Sequence, residues 1–213
     1  MLQFILGRAG TGKTAAFGIP AIEMVTDPEE TADPQILVLC PTRELAMQVS
    51  DELRKFSKYK EGLRVVTVYG GQNIDTQIRA LKRAAVVVGT PGRVIDHIRR
   101  RTLKLMNIKL AILDEADEML NMGFVDDIKQ ILFNTPENRQ TALFSATMPP
   151  PIMRLTQRFL RNPETVKGDE GDTAFNLIQQ YYVEVPKSKK AQGVRLLFEQ
   201  QGAHRGLIFC NTK

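Results

Sequence analysis

An α/β fold, a parallel sheet with helices on both faces, is the architecture this sequence predicts. Three observations lead there. Short apolar runs alternate with amphipathic stretches as far as Lys167, the pattern of repeated strand–helix units. Gly7-Arg8-Ala9-Gly10-Thr11-Gly12-Lys13-Thr14 fits the phosphate-cradling pattern G-x-x-x-x-G-K-[ST] and stands directly behind the first apolar run. Asp114-Glu115-Ala116-Asp117 stands directly behind a later one, at a strand's carboxyl end, where open α/β sheets place their ligands.

Leu2–Leu6, Ile36–Cys40, Arg64–Tyr69, Ala85–Val88, Leu110–Leu113 and Thr141–Phe144 predict strands, because continuous apolar runs suit strands buried on both faces. Arg43 to Tyr59 predicts a helix with Leu45, Val49, Leu53 and Phe56 on one face. Phe124 to Phe133 predicts another, with Val125, Ile128, Ile131 and Leu132 inward. Pro20 lies inside or ends the helix that follows the phosphate loop. Thr26 to Pro34 is polar, holds two prolines and reads as a surface loop.

Composition shifts near Lys167. Residues 1–167 form the first predicted domain, and 168–178, around Gly168-Asp169-Glu170-Gly171-Asp172-Thr173, a polar linker. Within 179–213, Gln180–Val185 reads as a strand, Lys187–Gln201 as a helix and Leu207–Cys210 as a strand. One such unit cannot cover both faces of its sheet, so it reads as the incomplete start of a second α/β domain.

The phosphate loop's glycines let backbone N–H groups approach phosphates, and the following helix start adds its positive dipole end. Lys13 would reach the β- and γ-phosphates, and the Thr14 hydroxyl would sit on magnesium. Asp114 would hold that ion through water, because magnesium keeps much of its hydration shell. Glu115 would orient and deprotonate the attacking water. Together these residues point to hydrolysis of a nucleoside triphosphate.

Further motifs carry a resemblance. Gly7–Thr14 resembles motif I of the DEAD-box ATP-dependent RNA helicases, and Pro41-Thr42-Arg43-Glu44-Leu45-Ala46 resembles motif Ia. Gly70-Gly71 is similar to the family's glycine pair, and Thr90-Pro91-Gly92-Arg93 to motif Ib. Asp114–Asp117 resembles motif II, Ser145-Ala146-Thr147 motif III and Leu207–Lys213 motif IV. Order and rough spacing match as well. The resemblance implies a RecA-like P-loop NTPase domain, with ATP and Mg2+ as cofactors. It also implies RNA held by its sugar-phosphate backbone through Pro41, Thr42, Arg43, Gly70, Gly71, Thr90, Pro91, Gly92 and Arg93. None of these reads base edges in that role, so sequence-independent binding and local duplex unwinding are expected. Asp117, Ser145 and Thr147 would couple the nucleotide state to the RNA-bound form.

Three departures from the family's pattern shape the expectation. Gly7 and Ala9 stand where motif I has alanine and a serine or threonine. The upstream segment with the adenine-reading glutamine motif is absent, so adenine preference rests on the resemblance. The chain ends inside motif IV, without the later motifs and the arginine finger of the second RecA-like domain, a group contributing on the order of 10³–10⁵ in rate. A truncated helicase of little activity by itself is therefore expected. The competing reading is a non-catalytic, nucleotide-dependent module that binds RNA or a partner. A small kinase or GTPase is a distant third, as no guanine-reading Asn-Lys-x-Asp occurs.

The bulk numbers are compatible with this. A net charge of +5 suits a polyanionic partner without establishing one. Cys40 and Cys210 each close an apolar run and read as reduced core residues, and with His97 and His204 they show no metal-ligand spacing. No apolar stretch reaches membrane-spanning length. A cytoplasmic monomer is expected.

Overall fold

The seven strands of one sheet run parallel, in the spatial order β3-β4-β2-β5-β6-β1-β7. They are β1 (Phe4–Leu6), β2 (Ile36–Leu39), β3 (Val65–Val68), β4 (Val86–Gly89), β5 (Leu110–Leu113), β6 (Gln140–Ser145) and β7 (Thr165–Lys167). The computed structural model describes residues 4–6, 12–27, 33–160, 162–167, 181–201 and 205–209. The chain divides into two compact units, Met1–Asp169 and Glu170–Lys213.

Helices make the crossovers that parallel strands require. They are α1 (Lys13–Met24), α2 (Arg43–Phe56), α3 (Ile74–Leu81), α4 (Pro91–Arg99), α5 (Ala116–Asn121), α6 (Val125–Phe133) and α7 (Pro150–Phe159). Strand residues alternate between two cores, as a period of two demands. Ile36 and Val38 point into one core with Phe17 of α1 and Leu53 of α2. Leu37 and Leu39 point into the other with Val94 of α4, Ile128 of α6 and Ile152 of α7. All four β2 residues are fully buried, which explains why the run is continuous rather than alternating.

The predicted strands form, with ends shifted by a residue or two; β1 is described from Phe4. The predicted Arg43–Tyr59 helix stops at Phe56, where Ser57 caps it by donating its N–H to the Leu53 carbonyl (2.9 Å). Pro20 lies within α1 rather than ending it. β7 has a single apolar residue and is not legible as a strand. β3 forms the opposite edge, and Arg54 covers it, donating to the Val65 carbonyl (3.3 Å) and to Thr67 Oγ1 (3.0 Å).

The second unit corrects the sequence reading. Among the described residues, Tyr182–Val185 and Leu207–Phe209 belong to no strand, where the sequence predicts Gln180–Val185 and Leu207–Cys210. Extended backbone becomes a strand only when a neighbour satisfies its hydrogen bonds, and among the described residues none does. The predicted Lys187–Gln201 helix opens as a 3-10 turn, Lys187–Lys189, and becomes α8 at Lys190–Gln201. Gln180, Cys210, His204 and the predicted linker 168–178 lie outside the described residues.

Candidate functional site

Parallel strands put the ends of β2, β3, β4, β5 and β6, and the motif residues that follow them, at one edge of the sheet. Leu39 lies beside both Gly89 and Leu113, and Leu113 beside Leu143. The residues following each strand therefore line up: Cys40 after β2, Thr90 after β4 and Asp114 near the middle. Gly7, Arg8, Ala9, Gly10 and Thr11 lie outside the described residues. The part of the loop that is described begins at Gly12, whose φ of 78° is left-handed and suits glycine. Lys13 and Thr14 open α1 directly after it and are half-buried. Phe17, one turn on, packs its ring 5.0 Å from that of Phe144, anchoring the start of α1 over β6.

Asp114 follows β5 and is only 4% exposed; its N–H donates to the Leu39 carbonyl of β2 (2.9 Å). Burial pushes its carboxyl up to about 6 from an ordinary 3.8. The Lys13 ammonium partly offsets this, the neighbouring Glu115 adds to it, and the Glu115 N–H (3.1 Å to Oδ1) opposes it. Glu115 is half-buried and held at φ 51°, ψ 53°, a left-handed conformation that costs a non-glycine residue about 1–3 kcal/mol. Such strain concentrates where a side chain must be aimed. An all-oxygen donor set of this kind suits magnesium, which is held by one or two carboxylates together with phosphate oxygens. Among the described residues there is no cluster of three or more His, Cys, Asp or Glu that could cage a metal.

Asp117 and Thr147 are joined across thirty residues of sequence. One Asp117 carboxylate oxygen accepts from the Thr147 N–H (3.0 Å) and from its hydroxyl (2.7 Å). Burial alone would raise the Asp117 carboxyl, but bonding from Thr147, with the Ser145 hydroxyl close by, outweighs it and holds it low. The Ser145 hydroxyl donates to the Thr147 carbonyl (2.7 Å) and tightens the turn after β6.

Toward the β3 edge, a concavity of about 420 Å³ is lined by Gly70, Thr90, Gly92, Arg93, Asp96, Arg99 and Phe124. Gly71 has φ 82°, which makes glycine necessary there, and a Cβ at Gly70 or Gly92 would meet open space. Thr42 caps α2 by accepting from the Leu45 N–H (3.2 Å), while Thr90 caps α4 without using its hydroxyl. Pro41 and Pro91 are buried beneath the helix starts. Arg43 is exposed and lies 5.1 Å from the Tyr69 ring centre. Arg93, for which the resemblance implies an RNA-backbone contact, is engaged within the protein. Its side chain is 14% exposed and donates to the Gln72 carbonyl (3.0 Å) and Gln77 Oε1 (3.2 Å). Gln77 is what sequence reasoning misses. The signal was present: an amide at a core-facing position between Ile74 and Leu81.

The parallel sheet with helices on both faces defines an α/β protein with its motif residues at the strand ends, and the comparisons with known proteins place it in a family. Residues 3–155 match the DEAD/DEAH box helicase family model, and the chain belongs to that family. It is 50% identical over 212 residues to the DEAD-box ATP-dependent RNA helicase CshA of Bacillus subtilis, covering 98% of this chain and 42% of that protein. It is 51% identical to the CshA of Geobacillus kaustophilus, 98% and 45% covered. The chain thus spans less than half the length of these curated relatives. A crystal structure of a DEAD box protein from the hyperthermophile Methanococcus jannaschii superposes with a TM-score of 0.73. It is 43% identical and covers 92% of this chain and 52% of the other. The hypothetical ATP-dependent RNA helicase of Sulfolobus tokodaii gives 0.71 at 38% identity, covering 78% and 47%. The seven-stranded parallel sheet with helices on both faces is the RecA-like fold that was expected. No helix among the described residues is long and apolar enough to cross a membrane.

Proposed function

We propose that residues 1–167 are the first RecA-like half of an ATP-dependent RNA helicase, and that residues 179–213 begin its second half. ATP and RNA would bind along the same sheet edge, nucleotide toward β1 and β5, RNA toward β4 and β3. What carries this reading is the bond of Asp117, after the buried Asp114 at the end of β5, to Thr147 after β6, since the two motifs meet only if the sheet forms. Lys13 neutralises the β- and γ-phosphates, within a cradle that Gly7, Gly10 and Gly12 open to backbone donors. Thr14 and Asp114 would hold Mg2+, which when bound screens the phosphate charge. Glu115 orients the attacking water and accepts its proton. Asp117, through Thr147 and Ser145, ties the β5 end to the β6 end, so a shift of one moves the other. Pro41, Thr42, Arg43, Gly70, Gly71, Thr90, Pro91, Gly92 and Arg93 would contact the RNA backbone, Arg93 chiefly by shaping the surface. These contacts lie on only one half of the proposed cleft, so weak and salt-sensitive RNA binding follows.

Calorimetry with a magnesium–ATP analogue tests the nucleotide site. The unaltered chain and Glu115→Gln should bind alike, because the amide keeps the shape of the side chain. Lys13→Ala should weaken binding at least about tenfold, the loss of one charge-assisted contact. Equal affinity in Lys13→Ala would remove the phosphate site from this loop.

A further inference from the structure

We propose that Gln77, backed by His97, is a positioning residue that fixes the Gly70-Gly71 loop against the Thr90–Arg93 turn. Its consequence for RNA rests on the reading above.

Gln77 is 2% exposed, on the face of α3 that packs toward the core. A leucine would suit such a position, and a buried amide is tolerated only when its polar atoms are satisfied. Here they are. The amide nitrogen donates to the Tyr69 carbonyl (3.0 Å) and to Gln72 Oε1 (2.8 Å), on the two sides of the glycine pair. The amide oxygen accepts from Arg93 Nη1 (3.2 Å) on α4. It also accepts from the fully buried His97 Nε2 (3.0 Å), one turn further along the same helix.

The orientation is fixed by donor arithmetic. An arginine can only donate, so the Gln77 oxygen faces Arg93 and the nitrogen faces Tyr69. His97 then carries its proton on Nε2, which leaves Nδ1 as an acceptor for the Thr102 hydroxyl (2.8 Å), whose one proton is shared with the His97 carbonyl (3.2 Å). Arg93 adds a second tie by donating to the Gln72 carbonyl (3.0 Å). One side chain therefore clasps the backbone before the glycine pair, the residue after it and the helix opening at Thr90. Gly71, at positive φ, gives that loop no side chain of its own to hold it. Rigidity has to come from underneath, and Gln77 and Arg93 supply it.

Two variants of this chain separate the clasp from general stability. Gln77→Glu keeps size and the acceptor for Arg93 and His97 but loses both donations. Gln77→Leu loses all four contacts. In each, backbone order parameters from ¹⁵N relaxation should fall at Gly70 and Gly71 from the rigid range of about 0.85 to below about 0.6. Those of α2 and β4 should stay unchanged. Affinity for oligouridylate should drop about tenfold, as for one lost buried contact, with affinity for a magnesium–ATP analogue intact. Unchanged order at Gly70 and Gly71 in both variants would overturn the proposal. So would a uniform loss of order across the domain, or a loosened loop with unaltered oligouridylate affinity. Should the unaltered chain bind no oligouridylate, the RNA reading fails instead, and the order parameters alone decide whether Gln77 holds the loop.

Discussion

Asp114 is kept ionised against its surroundings. Its carboxyl stands at about 6 in the folded chain and near 3.8 when free. Between those values the folded state binds the proton and the unfolded state does not, so stability falls as pH rises through that window. Above it the cost is complete, about 3 kcal/mol from the two-unit difference. Asp114→Asn keeps the shape and removes the charge. It should stabilise the chain by about 1–3 kcal/mol near pH 8, with the gain largely gone near pH 4, where the acid is already protonated. Urea unfolding at both pH values reads this directly. A gain of equal size at both, or a loss near pH 8, would mean that charge burial is not what Asp114 costs. Glu115, held in left-handed backbone beside it, adds a second local cost at the same place. The identities of both residues were legible in the sequence. The weakened acidity of Asp114 was not, because it comes from burial, and burial follows from the sheet in which the Leu39 carbonyl of β2 accepts the Asp114 N–H.

Among elements, close approach decides which glycines are required. A Cβ on Gly89, at the end of β4, would lie 2.8 Å from the Val68 carbonyl oxygen of β3 and 2.5 Å from a Val68 methyl. The oxygen belongs to a paired backbone and cannot retreat. Gly89→Ala should therefore cost about 3 kcal/mol, the upper end of ordinary overpacking. Gly18, within α1, meets Leu53 Cδ2 at 2.7 Å and the Phe56 ring at 3.1 Å, both ends of movable side chains of α2. Alanine there also gains about 1 kcal/mol of helix propensity, so Gly18→Ala should fall within about 1 kcal/mol of neutral. Denaturant midpoints at an unchanged m-value compare the two. If Gly89→Ala were as mild as Gly18→Ala, the β3–β4 junction would be softer than its geometry implies. The amphipathic helices were legible here because α2 buries Ala46, Val49 and Leu53 at helical spacing. Neither glycine contact was, since each involves another element.

At the scale of the whole molecule, the two units have unequal means of holding themselves. The first has two cores separated by a seven-stranded sheet. In the second, Leu207, Ile208 and Phe209 are 80%, 61% and 87% exposed, and among the described residues their backbone pairs with no strand. Ordering a backbone residue costs about 1–2 kcal/mol, and exposed side chains return little of it. Amide hydrogen exchange should therefore run near the unprotected rate at Leu207–Phe209 and orders of magnitude slower at Leu110–Leu113. Comparable protection would mean that a partner segment covers this stretch.

The sequence by itself determined the class of sheet, six of its seven strands and the strand ends at which the proposed site residues stand. Continuous apolar runs can be satisfied only between two helical layers, and the motif residues follow those runs directly. Tertiary structure alone decided what meets at the strand ends. Lys13 and Asp114, Asp117 and Thr147, and Gln77 with Arg93 and His97 come from distant parts of the chain, brought together by parallel pairing. It also decided that, among the described residues, Tyr182–Val185 and Leu207–Phe209 form no strand. Apolar pattern expresses a residue's preference for burial, but a strand exists only when a neighbouring backbone accepts its hydrogen bonds.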